Sequence, residues 1–285
     1  SMEDTIHYLA STGGFVHMRT PITVTGTDEG EPTWPEKFGP KQIAELKSVM
    51  GSVQYARFML LNLEAAKGVN LKREWLHKYP HEKIHPSWTY FMGIDYASTQ
   101  DKLKHKLTGD NCAIAVGAAI PGGGIVVVDG WADRVSQGEA EQKVQAMAQM
   151  YPTLALIGVE NVGEGRGFFS LLLRTTKLPL MPRDPAGRSK GRRFQQDMAP
   201  LFEYSRAWIS DVETPFIKKF IDEWVSWDGT DKTHDDTLDA VYWMLDIAQW
   251  HLMARPEDPN RLPEPWYRTR RKPNPFAELG GTRGK

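Results

Sequence analysis

The sequence predicts an α/β fold in which a mixed central sheet is flanked by helices. Three β-rich segments come first, at 89–95, 111–119 and 124–129, and the Gly-rich turn at 121–124 joins the second to the third as a hairpin. Apolar residues at helical spacing then alternate with one further strand at 153–160. A chain that begins with an antiparallel meander and continues with alternating helices and strands builds a mixed sheet with helices on its faces.

Residues 1–87 are predicted to form a small, mostly helical extension that precedes this sheet. Helical spacing of apolar residues covers 40–50 and 53–66, and a weak strand candidate lies at 15–22. The Pro- and His-rich segment at 80–86 is typical of a linker. We therefore expect the main domain to begin at residue 88.

The segment 88–253 is predicted to form one domain. After the meander we expect, in chain order, a helix at 136–151, the strand at 153–160, a Gly-rich turn at 163–167, a helix at 168–175, a hairpin-like region at 192–210, a helix at 213–225 and a closing helix at 234–251. This order, opening with a three-strand meander, is typical of the RNase H-like fold. Residues 254–285 are rich in Pro and Arg and are predicted to form a flexible tail.

Composition excludes several classes of protein. The chain of 285 residues is 40% hydrophobic and 25% charged, as is ordinary for a globular protein. Its single cysteine, Cys112, excludes an internal disulfide framework and a Cys-based zinc site, and we interpret it as a buried strand residue. No apolar run is long enough to span a bilayer and the N-terminus does not resemble a signal sequence, so we expect a cytoplasmic protein. Because the net charge is −1, any nucleic-acid surface must come from local clustering of basic residues.

Acidic residues end apolar strands or begin a helix at three places. Asp95 ends the first strand, Glu160 ends the fourth, and the closing helix starts with Asp235, Asp236 and Asp239. An isolated buried carboxylate is unfavourable unless it is paired, protonated or bound to a metal. Carboxylates from distant parts of the chain are the oxygen ligands that Mg²⁺ and Mn²⁺ prefer. The sequence therefore predicts a site for one of these ions.

Each of these acids also has a purely structural interpretation. Asp95 suits a turn in which its side chain accepts hydrogen bonds from backbone amides, and Glu160 suits an ion pair at a strand end. Asp236 fits the third position of a capping box that starts at Thr233, but Asp239, a turn further on, is not explained by capping. Weaker candidates for an additional ligand or a general base are His234, Asp110 and Asp129.

A basic segment that contains several glycines is the candidate surface for DNA. Arg188, Lys190, Arg192 and Arg193 suit contacts with phosphates, and a solvated loop is the alternative interpretation. The Gly-rich turn at 163–167 lacks the spacing of a dinucleotide-binding loop, and no Gly-x-x-x-x-Gly-Lys-Ser/Thr motif occurs in the sequence. We therefore expect this chain to bind nucleic acid rather than to hydrolyse ATP.

Together these motifs resemble the nuclease domain of tailed-bacteriophage terminase large subunits. The resemblance is carried by Gly-Ile-Asp-Tyr-Ala-Ser around Asp95, Gly-Val-Glu-Asn-Val-Gly around Glu160, and His-Asp-Asp-Thr-Leu-Asp-Ala from His234 onward. The basic stretch from Ser189 resembles the family's basic segment. Trp34-Pro-Glu-Lys-Phe resembles part of the connector between the terminase motor and the nuclease.

The resemblance implies a metal-dependent DNA endonuclease that cuts concatemeric viral DNA during genome packaging, with little sequence specificity. Asp95 would bridge two divalent ions, Mg²⁺ or Mn²⁺, which Glu160 and Asp235 or Asp236 would hold on either side, with Asp239 as a further ligand or a supporting residue. The implied partners are double-stranded DNA, the terminase ATPase motor, the small terminase subunit and the portal. The implied location is the cytoplasm of the infected bacterial host, away from membranes, and residues 1–87 would be the connector to a motor whose P-loop this sequence lacks.

Two other functions fit the same residues. Another RNase H-like nuclease, such as a Holliday-junction resolvase, would prefer four-way junctions to linear duplex DNA. A non-catalytic module that docks onto the portal or the motor would bind its partner and would cut no DNA with either Mg²⁺ or Mn²⁺.

Overall fold

The computed structural model describes residues 20–62, 71–97, 112–229 and 235–249, which contain a seven-stranded sheet. The strands are β1 (Lys78–Tyr79), β2 (Tyr90–Asp95), β3 (Cys112–Ala119), β4 (Ile125–Asp133), β5 (Leu154–Glu160), β6 (Leu180–Arg183) and β7 (Ala207–Ser210). The helices are α1 (Pro40–Phe58), α2 (Gln137–Met150), α3 (Glu164–Thr175), α4 (Ala199–Glu203), α5 (Pro215–Ser226) and α6 (Asp236–Ile247). Short 3-10 turns cover Arg73–Trp75 and His81–Lys83, and a π-helical segment, Arg192–Met198, leads directly into α4.

The sheet is mixed, as the sequence predicts, with the strand order β1-β7-β4-β3-β2-β5-β6. β2, β3 and β4 form an antiparallel meander. β5 and β6 continue the sheet parallel to β2, and β7 and β1 continue it parallel to β4 on the other side. The turn between β3 and β4 contains Gly122, Gly123 and Gly124, all at positive φ, which is a conformation that glycine adopts without strain.

Helices cover both faces of the sheet because alternate strand residues enter two different apolar clusters. Met92 and Ile94 of β2 pack in the cluster that contains residues of α2 and α3, whereas Phe91 packs in the cluster formed with α5 and α6. Full burial of each large apolar side chain stabilises the fold by roughly 1.5–3 kcal/mol. Both faces therefore contribute to holding the carboxyl ends of the strands in place.

Helix α6 lies directly on the centre of the sheet. Every one of its residues is buried. Gly93 of β2 permits this approach, because a Cβ atom at that position would collide with the Ala240 carbonyl oxygen and the Met244 amide nitrogen. The close contact sets the N-terminus of α6 beside the carboxyl end of β2.

The N-terminal residues form a small apolar cluster of their own and also contribute to the sheet. Ile22, Tyr55 and Leu60 make up the small cluster. Residues 78–79, which belong to the predicted extension, form the edge strand β1 beside β7. Trp75 packs in the same cluster as α5 and α6, so the extension and the sheet share part of one core.

The two helices predicted at 40–50 and 53–66 are both present and meet at a kink within α1, although the second helix ends at Phe58. The kink lies at Gly51, whose φ of 78° and ψ of 156° are not helical. Gly51 lies against Pro200, and the next amide, that of Ser52, donates a 3.0 Å hydrogen bond to Glu203 Oε2. Most of the weak strand predicted at 15–22 lies outside the described residues.

The hairpin-like region predicted at 192–210 is wrong over most of its length. The chain there is helical through the π-helical segment and α4, and only β7 at its end is extended. The buried residues Phe194, Met198 and Phe202 recur every four positions, which is the period of a helix face and not the alternation of a strand.

Two helix boundaries also differ from the prediction. α3 begins at Glu164 rather than at 168, since Gly165 lets the first turn lie against the Glu160 carbonyl. α6 ends at Ile247, and residues 250 and 251, to which the prediction continued, lie outside the described residues. Within the described ranges, no helix combines the length and apolar character needed to cross a membrane.

Candidate metal centre

Three elements bring the predicted acidic residues to one place. Asp95 and Glu160 are the last residues of β2 and β5, which are adjacent and parallel and are in register up to the pair Ile94 and Val159. The carboxyl ends of these strands therefore meet at the same edge of the sheet. Helix α6 packs on both strands, and the charge of Asp236, its first residue, acts on the Asp95 carboxyl group.

Asp95 is the electrostatic centre of the cluster. Burial raises the pKa of its carboxyl group well above the usual range, and the negative charge of Asp239 raises it further. A side-chain hydrogen bond to Glu160 and the charges of Glu160 and Asp236 act in the same direction. Negative charges that lie close together favour the protonated form of the carboxyl group that they surround.

The acids on α6 differ from Asp95 because two basic side chains reach them. Lys190 Nζ lies 2.6 Å from Asp235 Oδ1 and 3.2 Å from Asp239 Oδ2. Arg193 Nη1 donates to Asp239 Oδ1. Burial nevertheless raises the pKa of Asp239 to about 6, since the desolvation of its carboxylate outweighs the attraction of Arg193 and Lys190.

The cluster has the chemistry of a site for a hard divalent cation. Its donors are carboxylate oxygens, which suit Mg²⁺ or Mn²⁺ better than a soft metal. One of these oxygens, Asp235 Oδ2, is buried and has no hydrogen-bond partner in the described structure. As they are placed, however, no three His, Cys, Asp or Glu side chains of the described residues are arranged to hold a metal ion.

A comparison with protein families decides what kind of domain this is. Residues 92–247, which are more than half of the chain and include all five acids, match the model of the terminase RNaseH-like domain. The chain belongs to this family. The predicted RNase H-like fold and the resemblance to terminase nuclease domains are thereby confirmed.

Solved structures of other terminase nucleases are similar at low sequence identity. The large terminase nuclease from thermophilic phage G20c with bound cobalt matches with a TM-score of 0.49 and 13% identity, over 64% of this chain and 98% of that chain. The form of that nuclease with bound magnesium matches with a TM-score of 0.47 and 14% identity, over 61% and 94%. The human cytomegalovirus terminase nuclease domain, soaked with Mn, matches with a TM-score of 0.42 and 12% identity, over 61% and 92%. A search of curated proteins finds no match. The assignment to the family therefore rests on the family model.

The basic segment of this terminase domain is divided between the interior and the surface. Arg193 is only 4% exposed, and its guanidinium lies over the rings of Phe194, Tyr242 and Trp243. This position does not fit the expectation that Arg193 contacts DNA, because the contact would require it to leave Asp239 and the three rings.

The other basic residues lie closer to solvent. Arg188 forms a 3.1 Å ion pair with Asp197, and Lys190 is bound to the acidic cluster as described above. Arg192 is exposed. The spacing of Lys190 and Arg193, three residues apart in a helical stretch, places both on the side that faces α6.

Asp129, a further predicted candidate, does not join the cluster. Asp129 of β4 pairs with Val116 of β3, whereas Asp95 of β2 pairs with Ala113 of β3. Val116 and Ala113 are three positions apart, so Asp129 lies roughly 10 Å from Asp95 along the strand direction. His234, Asp110 and Thr233 lie outside the described residues. The predicted capping box is wrong, since Asp235 is the N-cap of α6 and Asp236 is its first residue.

Sequence reasoning missed Glu223, which supports the start of α6. This α5 residue is buried, and its Oε2 accepts hydrogen bonds from the Thr237 amide, at 2.9 Å, and from the Thr237 hydroxyl. It takes over the role of a side-chain cap, since the Asp235 side chain caps no amide. One signal was present in the sequence. Glu223 lies on the apolar face of α5, three residues after Phe220 and next to Trp224, where an acid needs a partner.

Proposed function

We propose that this terminase domain is a divalent-metal-dependent endodeoxyribonuclease that cuts concatemeric viral DNA during genome packaging. The observation that carries the proposal is the meeting of Asp95, Glu160 and the α6 acids at one edge of the sheet, within the residues that match the family. The magnesium, cobalt and Mn forms of other terminase nucleases agree with a requirement for such ions. The cytoplasm of the infected bacterial host, the ATPase motor, the small terminase subunit and the portal are part of the same proposal.

Each acid has a distinct part in the proposed reaction. Asp95, which interacts with the most other acids, would be the central ligand, and Glu160 would flank it from β5. Asp239 and Asp236 are candidates on α6 because their charges act on Asp95, and Asp235 is a further candidate because its buried Oδ2 has no hydrogen-bond partner in the described structure. Two bound divalent ions, Mg²⁺ or Mn²⁺, would activate water and stabilise the leaving oxygen of the phosphodiester.

The basic residues near the cluster would position the DNA backbone. Arg192 is exposed, and Lys190 and Arg188 lie beside it on the same segment. Contacts with phosphates fix the register of a duplex but do not read its sequence. We therefore propose cleavage of double-stranded DNA with little sequence specificity.

Plasmid nicking with the wild-type chain and the Asp95→Asn variant tests the proposal. We expect nicking with Mn²⁺ or Mg²⁺ and none with EDTA. Asp95→Asn should reduce the rate by more than about a hundredfold, since loss of a residue that only supports a ligand already costs about 10- to 100-fold. Asp129→Asn, a change of the same kind on β4 and away from the cluster, should retain activity.

Three results would speak against the proposal. Nicking that persists in EDTA or in Asp95→Asn would exclude the metal-dependent mechanism. Preference for a four-way junction over a linear duplex of the same sequence would favour a resolvase. No cleavage with either ion, together with retained binding to the portal or motor, would favour a docking module.

A further inference from the structure

The acidic cluster contains a basic side chain that the proposed chemistry does not explain. Lys190 Nζ lies between Asp235 Oδ1 and Asp239 Oδ2, at 2.6 and 3.2 Å. Arg193 binds the other oxygen of Asp239. The described ion pairs include none for Asp95 or Glu160, so the positive charges that the described residues place in the cluster lie on its α6 side.

The two basic residues are held in very different ways. Arg193 is enclosed by three aromatic rings and is almost fully buried, so it is a permanent part of the core. The Lys190 side chain is 28% exposed and reaches the carboxylates from the rim. An ammonium on a flexible four-carbon chain can leave such a position, whereas a buried and stacked guanidinium cannot do so without loss of packing.

We propose that Lys190 is a displaceable counter-ion of the metal centre, whose ammonium group occupies the Asp235–Asp239 side of the cluster until a divalent ion takes its place. This inference rests on the proposed function. A divalent ion that binds Asp239 or Asp235 has to compete with Lys190, whereas one that binds only Asp95 and Glu160 does not. Two positions of unequal affinity follow from this difference.

After displacement, the ammonium group of Lys190 would lie next to the proposed DNA path. Lys190 is two residues from the exposed Arg192, so it would stay at the rim of the site next to the proposed DNA path. A phosphate group there can neutralise it as the carboxylates did. Lys190 would then weaken binding of the second ion in the absence of DNA and contact the backbone when DNA is present.

Mn²⁺ binding without DNA tests this role without any measurement of activity. Free Mn²⁺ would be counted by electron paramagnetic resonance, and dissociation constants would be measured by calorimetry at one ionic strength. We expect Lys190→Met to bind the weaker Mn²⁺ ion about tenfold or more tightly than the wild type, because one opposing charge in direct contact is removed. Added Mn²⁺ should also raise the melting temperature of Lys190→Met more than that of the wild type.

Arg192→Met is the matched control, since it removes the same charge from a neighbouring exposed residue. Its effect on Mn²⁺ affinity should be less than about threefold, because solvent screens it. Equal Mn²⁺ affinities for Lys190→Met and Arg192→Met would overturn the inference while the proposed function stands. No Mn²⁺ binding by the wild type or by either variant would overturn both. If Lys190→Met fails to fold, the Mn²⁺ affinity of Lys190→Gln is measured instead, with the same expected result.

Discussion

At the scale of single residues, the buried guanidinium of Arg193 has a structural role. Arg193 is buried, binds Asp239 and lies 5.1–5.4 Å from the centres of three aromatic rings. Removal of one partner of a buried ion pair leaves the other charge without compensation in a low-dielectric environment. Asp239, in turn, has the largest electrostatic effect on Asp95. The position of Arg193 therefore affects the geometry of the whole cluster.

We expect Arg193→Met to lower the free energy of unfolding by about 3–5 kcal/mol, the usual cost of breaking a buried ion pair from one side. Arg192→Met should change it by less than about 0.5 kcal/mol, since Arg192 is exposed. Urea unfolding of both variants at one pH measures the difference. Equal stability of the two variants, with DNA binding lost only in Arg193→Met, would instead assign Arg193 to the DNA surface.

At the scale of elements, the start of α6 is held by contacts from other parts of the chain. Gly93 lets the helix lie on β2, and Glu223 of α5 accepts hydrogen bonds from Thr237 in its first turn. Because Asp236 and Asp239 lie on either side of Thr237, these contacts also orient the acidic cluster. Burial raises the pKa of Glu223 to about 7, although the hydrogen bonds from Thr237 and the charge of Lys219 oppose the shift.

The shift makes stability depend on pH in a definite direction. The folded protein binds the Glu223 proton more tightly than the unfolded chain does, so this contribution is fully present below about pH 4.5 and is lost as pH rises through about 7. We expect Glu223→Gln, which stays neutral, to gain stability relative to the wild type between pH 5 and pH 8, by at most about 3 kcal/mol. Denaturant unfolding at several pH values measures this gain, and Asp222→Asn, an exposed neighbour, should show none. A gain that is independent of pH would show that Glu223 is not the group responsible.

Local patterns were sufficient to predict the elements on which the acids lie. The meander of β2, β3 and β4 follows from apolar runs bounded by turns, and Asp95 and Glu160 are the residues at which two such runs end. The region at 192–210 was assigned wrongly because its basic and glycine-rich start hid the four-residue period of Phe194, Met198 and Phe202.

Contacts between distant parts of the chain could not be predicted in this way. Lys190 and Arg193 reach acids about 45 residues further along the chain, and Glu223 bonds a residue 14 positions away on another helix. No local propensity specifies such pairs, since they depend on how α6 and the π-helical segment pack on the sheet. The sequence therefore predicted the acids of the cluster but not the residues that neutralise and hold them.

At the scale of the whole molecule, charge is balanced overall, so attraction to DNA has to be local. The net charge is −1, and the acidic cluster itself repels phosphate. Of the four basic residues predicted to bind DNA, Arg193 is buried, Lys190 is bound to the cluster and Arg188 pairs with Asp197. Arg192 is exposed and has no ion pair among the described contacts, which makes it the clearest candidate for a phosphate contact in the absence of metal.

We expect Arg192→Gln to weaken DNA binding and to make it less dependent on salt. Each phosphate contact contributes about 0.9 to the slope of log Kobs against log salt concentration, because binding releases a counterion from the duplex. The slope should therefore become shallower by about one unit in Arg192→Gln, measured by fluorescence anisotropy with an Asp95→Asn background so that the duplex stays intact. Lys41→Gln, which removes an exposed charge from α1, should leave the slope unchanged. An exposed charge affects the salt slope only where it lies against the DNA backbone. An unchanged slope in Arg192→Gln, or an equal change in Lys41→Gln, would therefore place the path of the DNA on another face.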